Sequence, residues 1–94
     1  MNWNEHFKNI GIDIDKVEAD ERYSSDDRVL QIDLLIRYLD GELDEENNAD
    51  DIENIEKEYG KPMMTGAHIP DITLIMADID ELMYKIYKDY LKQN

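Results

Sequence analysis

The chain has 94 residues, which is enough for one domain with a modest hydrophobic core. It contains no cysteine, so disulfide bonds and thiolate metal sites are excluded. Its 24 acidic residues outnumber its ten basic residues and give a net charge of −14, which excludes binding to nucleic acid or anionic lipid through the general surface and favours basic partners. Dispersed charge that serves only solubility is the alternative explanation.

The hydropathy pattern predicts no membrane-spanning segment. No apolar run approaches the roughly 18 residues of a membrane span, and residues 1–8 are too polar for a signal peptide. We therefore expect a soluble protein of the cytoplasm.

The first twelve residues predict a short amphipathic helix. Trp3, Phe7 and Ile10 are spaced by four and three residues, and Gly11 follows them as a stop signal. The aromatic side chains are expected to lie on the core.

The next residues predict an extended connection and one helical turn. Isoleucine alternates with other residues over positions 10–15, but the run is too short for a full strand. Asp13 or Asp15 is expected to cap a helical turn that extends to about Arg22.

Residues 24–39 form the second major predicted element. Ser24 followed by Asp27 resembles a capping box, and Gly41 stands where a C-terminal cap belongs. The length and these caps favour a helix, although residues 30–38 also alternate as a strand would. Its apolar residues form two stripes, which predicts a central helix with a neighbour on either side; the stripes are Ile32, Leu35, Ile36 and Leu39, and Leu30, Leu34 and Tyr38.

The range 40–58 is the most acidic part of the chain, with ten carboxylates and one lysine. Its first half has little to bury and is expected to be an exposed loop. A short helix is predicted from Asn48 or Asp50 to a cap at Gly60, with Ile52, Ile55 and Tyr59 on its apolar side. Residues 61–69 predict an apolar loop in which Met63 and Met64 fill the core.

The carboxyl-terminal range 70–92 predicts a long helix with Pro70 in its first position. Its core stripe follows heptad-like steps of four and three, and consists of Ile72, Met76, Ile79, Met83, Ile86 and Tyr90, widened by Ile75, Leu82 and Tyr87. Leu74, Tyr84 and Leu91 lie away from this stripe, which indicates a surface for self-association or for a partner.

Together these elements predict a mostly α fold, a single-domain bundle of three to four helices organised on the carboxyl-terminal helix. An α+β fold with strands at residues 10–14 or 30–38 is the alternative.

The sequence gives no catalytic or metal-binding motif. A calcium loop beginning at Asp13, Asp40 or Asp44 lacks the glycine that its sharp turn requires. The hydroxyl residues and the two histidines form no nucleophile motif, and Gly60 and Gly66 form no phosphate loop. We expect neither catalysis nor a metal or other cofactor.

The acidic surface leads to a functional prediction. Carboxylates about 5–6 Å apart on a helix face have a separation close to that of neighbouring phosphates on a DNA strand. In composition and size the chain is similar to phage anti-restriction and anti-CRISPR inhibitors, uracil-DNA glycosylase inhibitors and immunity proteins against nuclease toxins, although no motif connects it to one of them.

We therefore predict an inhibitor that blocks the basic nucleic-acid-binding surface of a protein such as a nuclease or CRISPR effector. The predicted contact residues are Asp40, Glu42, Asp44, Glu45, Glu46, Asp50 and Asp51, with Asp20, Glu21, Asp26 and Asp27 as a second patch and Met63, Met64 or Tyr84 as an apolar anchor. The alternatives are an immunity protein or antitoxin that neutralises one toxin, and a helical subunit that self-associates, for instance as a homodimer.

Overall fold

A computed structural model describes residues 2–62, 64 and 68–93, and within these ranges most of the chain is helical. The elements, in chain order, are α1 (Trp3–Asn9), α2 (Ile14–Glu18), a 3-10 turn (Tyr23–Ser25), α3 (Asp27–Leu39), α4 (Ala49–Tyr59), β1 (Gly60–Pro62), β2 (His68–Pro70) and α5 (Ile72–Gln93). The predicted helical bundle on a long carboxyl-terminal helix is confirmed.

The two amino-terminal helices begin at side-chain caps. The Asn2 carboxamide oxygen accepts the Glu5 N–H at 3.1 Å, and the Asp13 carboxylate accepts the Lys16 N–H at 3.4 Å. Gly11 has a φ of +89°, a conformation that suits glycine, and it ends the first helical segment as predicted. The second helix stops at Glu18, so the expected continuation to Arg22 is wrong.

Residues 30–38 are helical, so the helix prediction is confirmed and the strand alternative is wrong. The cap predicted at Ser24 is also wrong. Asp26 caps α3 by accepting the Arg28 N–H at 2.9 Å, while the Ser24 hydroxyl donates to the Glu21 carbonyl at 3.5 Å within the preceding turn. Serine and aspartate both cap helices well. Because Ser24 lies within the 3-10 turn, Asp26 is the residue that directly precedes the first turn of α3.

A short antiparallel hairpin joins α4 to α5. Its register pairs Gly60 with Pro70 and Pro62 with His68, and both strands pack against α4. No hairpin was predicted, because strands of three residues are too short to show alternation. The prediction that Met64 fills the core is wrong, since this side chain is fully exposed; Met63 lies outside the described residues.

The start of α5 differs from the prediction. Pro70 is the last residue of β2 and not the first of the helix. Asp71 provides the cap, since its carboxylate accepts the N–H groups of Thr73 at 3.0 Å and Leu74 at 3.4 Å. The Asp71 N–H donates to the Tyr59 carbonyl at 2.9 Å and so joins the start of α5 to the end of α4.

The core stripe of α5 consists of four fully buried residues, Ile75, Ile79, Met83 and Ile86. Ile72 was predicted to belong to it but is 58% exposed, because it lies in the first turn of the helix beside the hairpin. The rest of the core comes from the four preceding helices and the connection after α1: Phe7, Ile12, Ile14, Val17, Ile32, Leu35, Ile55 and Tyr59.

The third helix runs antiparallel to α5. The Arg28 guanidinium at the start of α3 lies 2.8 Å from the Asp89 carboxylate near the end of α5. On α3, Ile32 and Leu35 are buried while Leu30 is 67% exposed, so the second predicted stripe is only partly covered. None of the described helices combines the length and apolar character needed to cross a membrane.

Candidate functional site

The acidic segment, which we define as residues 40–58, begins where α3 ends in a Schellman motif. The Gly41 N–H donates to the Tyr38 carbonyl at 3.2 Å. The Glu42 N–H donates to the Arg37 carbonyl at 2.9 Å. The motif needs a left-handed residue, and Gly41 supplies it with a φ of +73°. The chain therefore turns sharply away from α3 at this glycine.

The loop that follows is held by one of its own carboxylates. The side chain of Asp44 accepts the Glu46 N–H at 2.8 Å and the Asn47 side-chain amide at 3.1 Å. The Asp44 N–H donates to the Asn48 side-chain oxygen at 3.1 Å. Because these bonds use the polar groups of Asp44, its role in the structure is to shape the loop. Glu45 and Glu46 are left exposed on the loop surface.

Helix α4 presents the rest of the segment on an amphipathic scaffold. Ile55 and Tyr59 are buried, and the Tyr59 hydroxyl donates to the Asp78 carboxylate on α5 at 2.6 Å. Burial and this neighbouring carboxylate raise the pKa of Tyr59 well above its usual value. Because Ile55 and Tyr59 face the core, Asp50 lies on the exposed side of the helix, and Asp51 is half-buried.

Among the side chains that the structure describes, few cations neutralise the acidic segment. Its ten carboxylates and one lysine give it a net charge of −9, nearly two thirds of the charge of the whole chain. Lys57 pairs with Glu53 at 2.7 Å, and Arg37 reaches Glu42 only at 4.0 Å. Asp40 accepts the Trp3 indole N–H at 3.3 Å and keeps an exposed position. The segment therefore concentrates negative charge at the surface.

The second predicted patch is arranged differently, because two of its four acids are bound to arginine. Asp20 accepts both the backbone N–H and the side-chain Nε–H of Arg22, each at 2.9 Å. Asp26 holds Arg28 with the same two distances, and its second oxygen lies 2.6 Å from Arg28 Nη2. The chain thus repeats one Asp-x-Arg motif six residues apart.

The repeated motif changes what the second patch can do. The arginine partners lower the pKa of both carboxyl groups, that of Asp20 to about 2. Arg28 also bonds to Asp89, so its guanidinium connects the start of α3 to α5. This leaves Glu21 and Asp27 as the exposed acids of the patch without such a pair. The repeated spacing is the sequence signal that would have identified the two pairs.

The two motifs line a small cavity of about 160 Å³ at the carboxyl-terminal end of α5. Its walls combine both Asp–Arg pairs with Tyr23, Ile86, Asp89 and Tyr90. Three carboxylates and two guanidinium groups leave it without excess positive charge, so it has no preference for an anion.

The predicted apolar anchors lie in different places. Met64 is fully exposed on the hairpin that packs against α4. Tyr84 is 48% exposed on the outer face of α5, with the Lys88 ammonium 4.8 Å from its ring centroid. Both elements pack against α4, which carries part of the acidic segment, but Tyr84 lies on the face of α5 that points away from the core.

The groups considered for catalysis have structural contacts. His6 Nε2 lies 2.7 Å from the Asp80 carboxylate and connects α1 to α5. The Ser25 hydroxyl donates to the Arg22 carbonyl at 3.1 Å. Within the described ranges, no group of three or more His, Asp or Glu side chains is arranged to hold a metal ion. Thr65 lies outside these ranges.

No model of a known protein family matches the chain, and comparison with curated proteins and with solved structures gave no significant match.

Proposed function

We propose that this protein is a stoichiometric inhibitor that binds a basic nucleic-acid-binding surface on another protein and blocks it. The observation that carries the proposal is the net charge of −9 on the acidic segment, most of it on exposed side chains. A surface of this kind is attracted to Lys- and Arg-rich grooves and is repelled by nucleic acid itself.

The backbone of the acidic segment supports the proposal because it is ordered before any partner binds. The Schellman motif fixes its start, the Asp44 hydrogen bonds fix its loop, and burial of Ile55 and Tyr59 fixes its helix. Charges on a preorganised scaffold lose less conformational entropy on binding than charges on a flexible tail. They also accelerate association in a salt-dependent manner.

The spacing of the acids on α4 agrees with imitation of a nucleic-acid strand. Asp50, Glu53 and Glu56 follow one another at steps of three residues, which places neighbouring Cβ atoms about 5–6 Å apart. The helix, 11 residues long, spans roughly 16 Å. It is thus long enough for a few consecutive carboxylates to replace consecutive phosphates in a basic groove.

The proposed partner is a cytoplasmic nucleic-acid-binding protein such as a nuclease or a CRISPR effector. An immunity protein or antitoxin would use the same surface on a toxin, and the identity of the partner separates the two functions. In both cases the protein acts by binding alone, with no catalytic step and no cofactor.

The test compares the natural chain with a variant that carries Glu45→Gln, Glu46→Gln and Asp50→Asn. The matched control carries Glu5→Gln, Glu18→Gln and Asp33→Asn, which remove the same charge from exposed positions elsewhere. Each is used to capture partners from a nuclease-treated bacterial lysate. Nucleic-acid binding by the captured protein is then measured by fluorescence anisotropy with and without each chain.

The expected result is a protein that the natural chain and the control capture and inhibit, and that the first variant binds at least about tenfold more weakly. Added salt should weaken the complex. Equal inhibition by all three chains would refute the proposal, as would a captured partner whose nucleic-acid binding is unaffected.

A further inference from the structure

Helix α5 carries a second regular stripe on the side opposite its buried core stripe. We define this outer stripe by six residues at steps of three and four, all exposed: Leu74, Ala77, Glu81, Tyr84, Lys88 and Leu91. The three largest apolar members are 52%, 48% and 54% exposed at positions 74, 84 and 91. This is the spacing of the a and d positions in a coiled coil.

The net charge of α5 is small compared with that of the acidic segment. The helix contains four acids and three lysines, a net charge of −1 in a chain of −14. Two copies that meet through α5 therefore bring together much less like charge than two copies that meet through their acidic segments.

The charges along α5 are also divided between its two halves. Three of the four acids (Asp78, Asp80 and Glu81) precede residue 82, and all three lysines (Lys85, Lys88 and Lys92) follow it. A parallel pair of such helices would place Glu81 on Glu81 and Lys88 on Lys88. An antiparallel pair avoids both like-charge contacts. Asp78 and Asp80 are already bonded to Tyr59 and His6 within one copy, so the complementarity rests on Glu81 and Lys85, which pair at 3.1 Å in each copy and lie beside the same pair of the other copy.

We propose that a second copy of this chain packs on the outer stripe with α5 antiparallel to α5, forming a homodimer. Leu74 then faces the partner's Leu91, and Ala77 faces the partner's Lys88. Glu81 faces the partner's Tyr84, whose hydroxyl can donate to the carboxylate. This inference does not rest on the inhibitor function, because the outer stripe contains no residue of the acidic segment and shares only Tyr84 with the contact residues predicted for the inhibitor.

The side chains of the outer stripe fit these layers. The small Ala77 leaves room for the long Lys88 opposite it, and within each copy Lys88 already lies over the Tyr84 ring, 4.8 Å from its centroid. Its aliphatic stem can cover that ring while the ammonium group stays in water. The stripe extends over about 26 Å, counted at 1.5 Å per residue. Because the dimer has twofold symmetry, each of the three pairs of facing residues occurs twice in the interface.

The first test is sedimentation velocity at moderate salt, where repulsion between the acidic copies is screened. We expect the natural chain to form dimers as its concentration rises to about 0.5 mM. Leu74→Ser with Leu91→Ser should raise the dimer dissociation constant at least about tenfold. Leu30→Ser is the matched control, since Leu30 is 67% exposed on α3 and lies outside the stripe; circular dichroism verifies folding.

The second test determines the orientation, and it uses the absence of cysteine from the chain. Single variants Leu74→Cys and Leu91→Cys are mixed and oxidised, and the disulfide-linked products are separated. The antiparallel dimer predicts that the mixed product dominates. A natural chain that stays monomeric in sedimentation would overturn the proposal, and so would dominance of the product linking two copies through position 74.

Discussion

The point along α5 at which the buried core stripe begins can be tested with two identical substitutions one turn apart. Ile75 and Ile72 both fit the apolar pattern of the sequence, but Ile75 is fully buried and Ile72 is 58% exposed. Ile75→Ala removes a buried side chain and leaves a cavity, which costs about 2–5 kcal/mol. Ile72→Ala changes an exposed position, where the effect stays within about 0.5 kcal/mol.

The difference is large relative to the stability of the protein. A chain of this size has an unfolding free energy of about 5–14 kcal/mol, and a loss of about 3 kcal/mol lowers Tm by roughly 12–24 °C. Urea unfolding followed by circular dichroism measures both variants, and equal m values would show that only stability changed. If Ile72→Ala costs as much as Ile75→Ala, the core also covers the first turn of α5, and our description of Ile72 as an exposed residue is wrong.

Three further predictions follow from individual contacts. Asp20 and Asp26 have lowered pKa values in the folded state, so their contribution is present above the unfolded value near 3.8 and is lost as the pH falls toward 2; Asp20→Asn with Asp26→Asn should flatten the decline of unfolding free energy in urea titrations between about pH 5 and 2. Tyr59→Phe removes the bond to Asp78 and should cost about 1–2 kcal/mol by the same assay at neutral pH. Because the pKa of Tyr59 is raised, its contribution is present below pH 10 and lost above it, so the variant should lose less stability in alkali. Gly41→Ala should cost about 1 kcal/mol through backbone strain alone, since a Cβ there meets no atom within 4 Å.

Each of these predictions has a result that contradicts it. An unchanged acid profile in the Asp20 and Asp26 variant would mean that the two arginine pairs do not persist in solution. A Tyr59→Phe protein as stable as the natural chain would show that the hydroxyl exchanges its bond with water at no cost. A stabilising Gly41→Ala would show that the end of α3 does not adopt the Schellman geometry.

The long helices could be predicted from the sequence because their patterns are long. Residues 30–38 have helix caps and apolar positions on helical stripes, and these outweigh the alternating strand pattern. The stop at Gly11 and the turn at Gly41 were predictable for a local reason, since both glycines have positive φ. A sequence pattern predicts the structure well when it extends over many residues, or when it depends on one glycine in a conformation that other residues rarely adopt.

What the sequence did not reveal depends on tertiary contacts. The hairpin of residues 60–70 has strands of three residues, and its pairing is supported by packing against α4. Ile72 has the right spacing for the core, but it lies in the first turn of α5, where it is 58% exposed. Short elements and helix ends are fixed by their neighbours, which a single periodic pattern does not describe.

The sequence predicted where the acidic residues are exposed, but not which of them are bonded to other groups of the chain. The exposed loop and helix of residues 40–58 agree with the sequence, because a stretch with so few apolar residues has little to bury. The roles of single acids were not predictable: Asp44 holds the loop, while Asp20 and Asp26 are bound to arginines two residues further along. The participation of every predicted contact residue in partner binding stays a prediction.

The dependence of the core on α5 has a consequence for the nascent protein on the ribosome. Of the twelve buried core residues in the part of the chain that the structure describes, this helix supplies four, and it is synthesised after the four helices that it covers. Until it emerges, apolar faces such as those of Phe7 and Leu35 have no complete core to enter. Residues 1–58 carry 19 acids and six basic residues, a net charge of −13. We expect mutual repulsion of that size to oppose contact between unfinished chains on neighbouring ribosomes, and so to delay aggregation until the core can close.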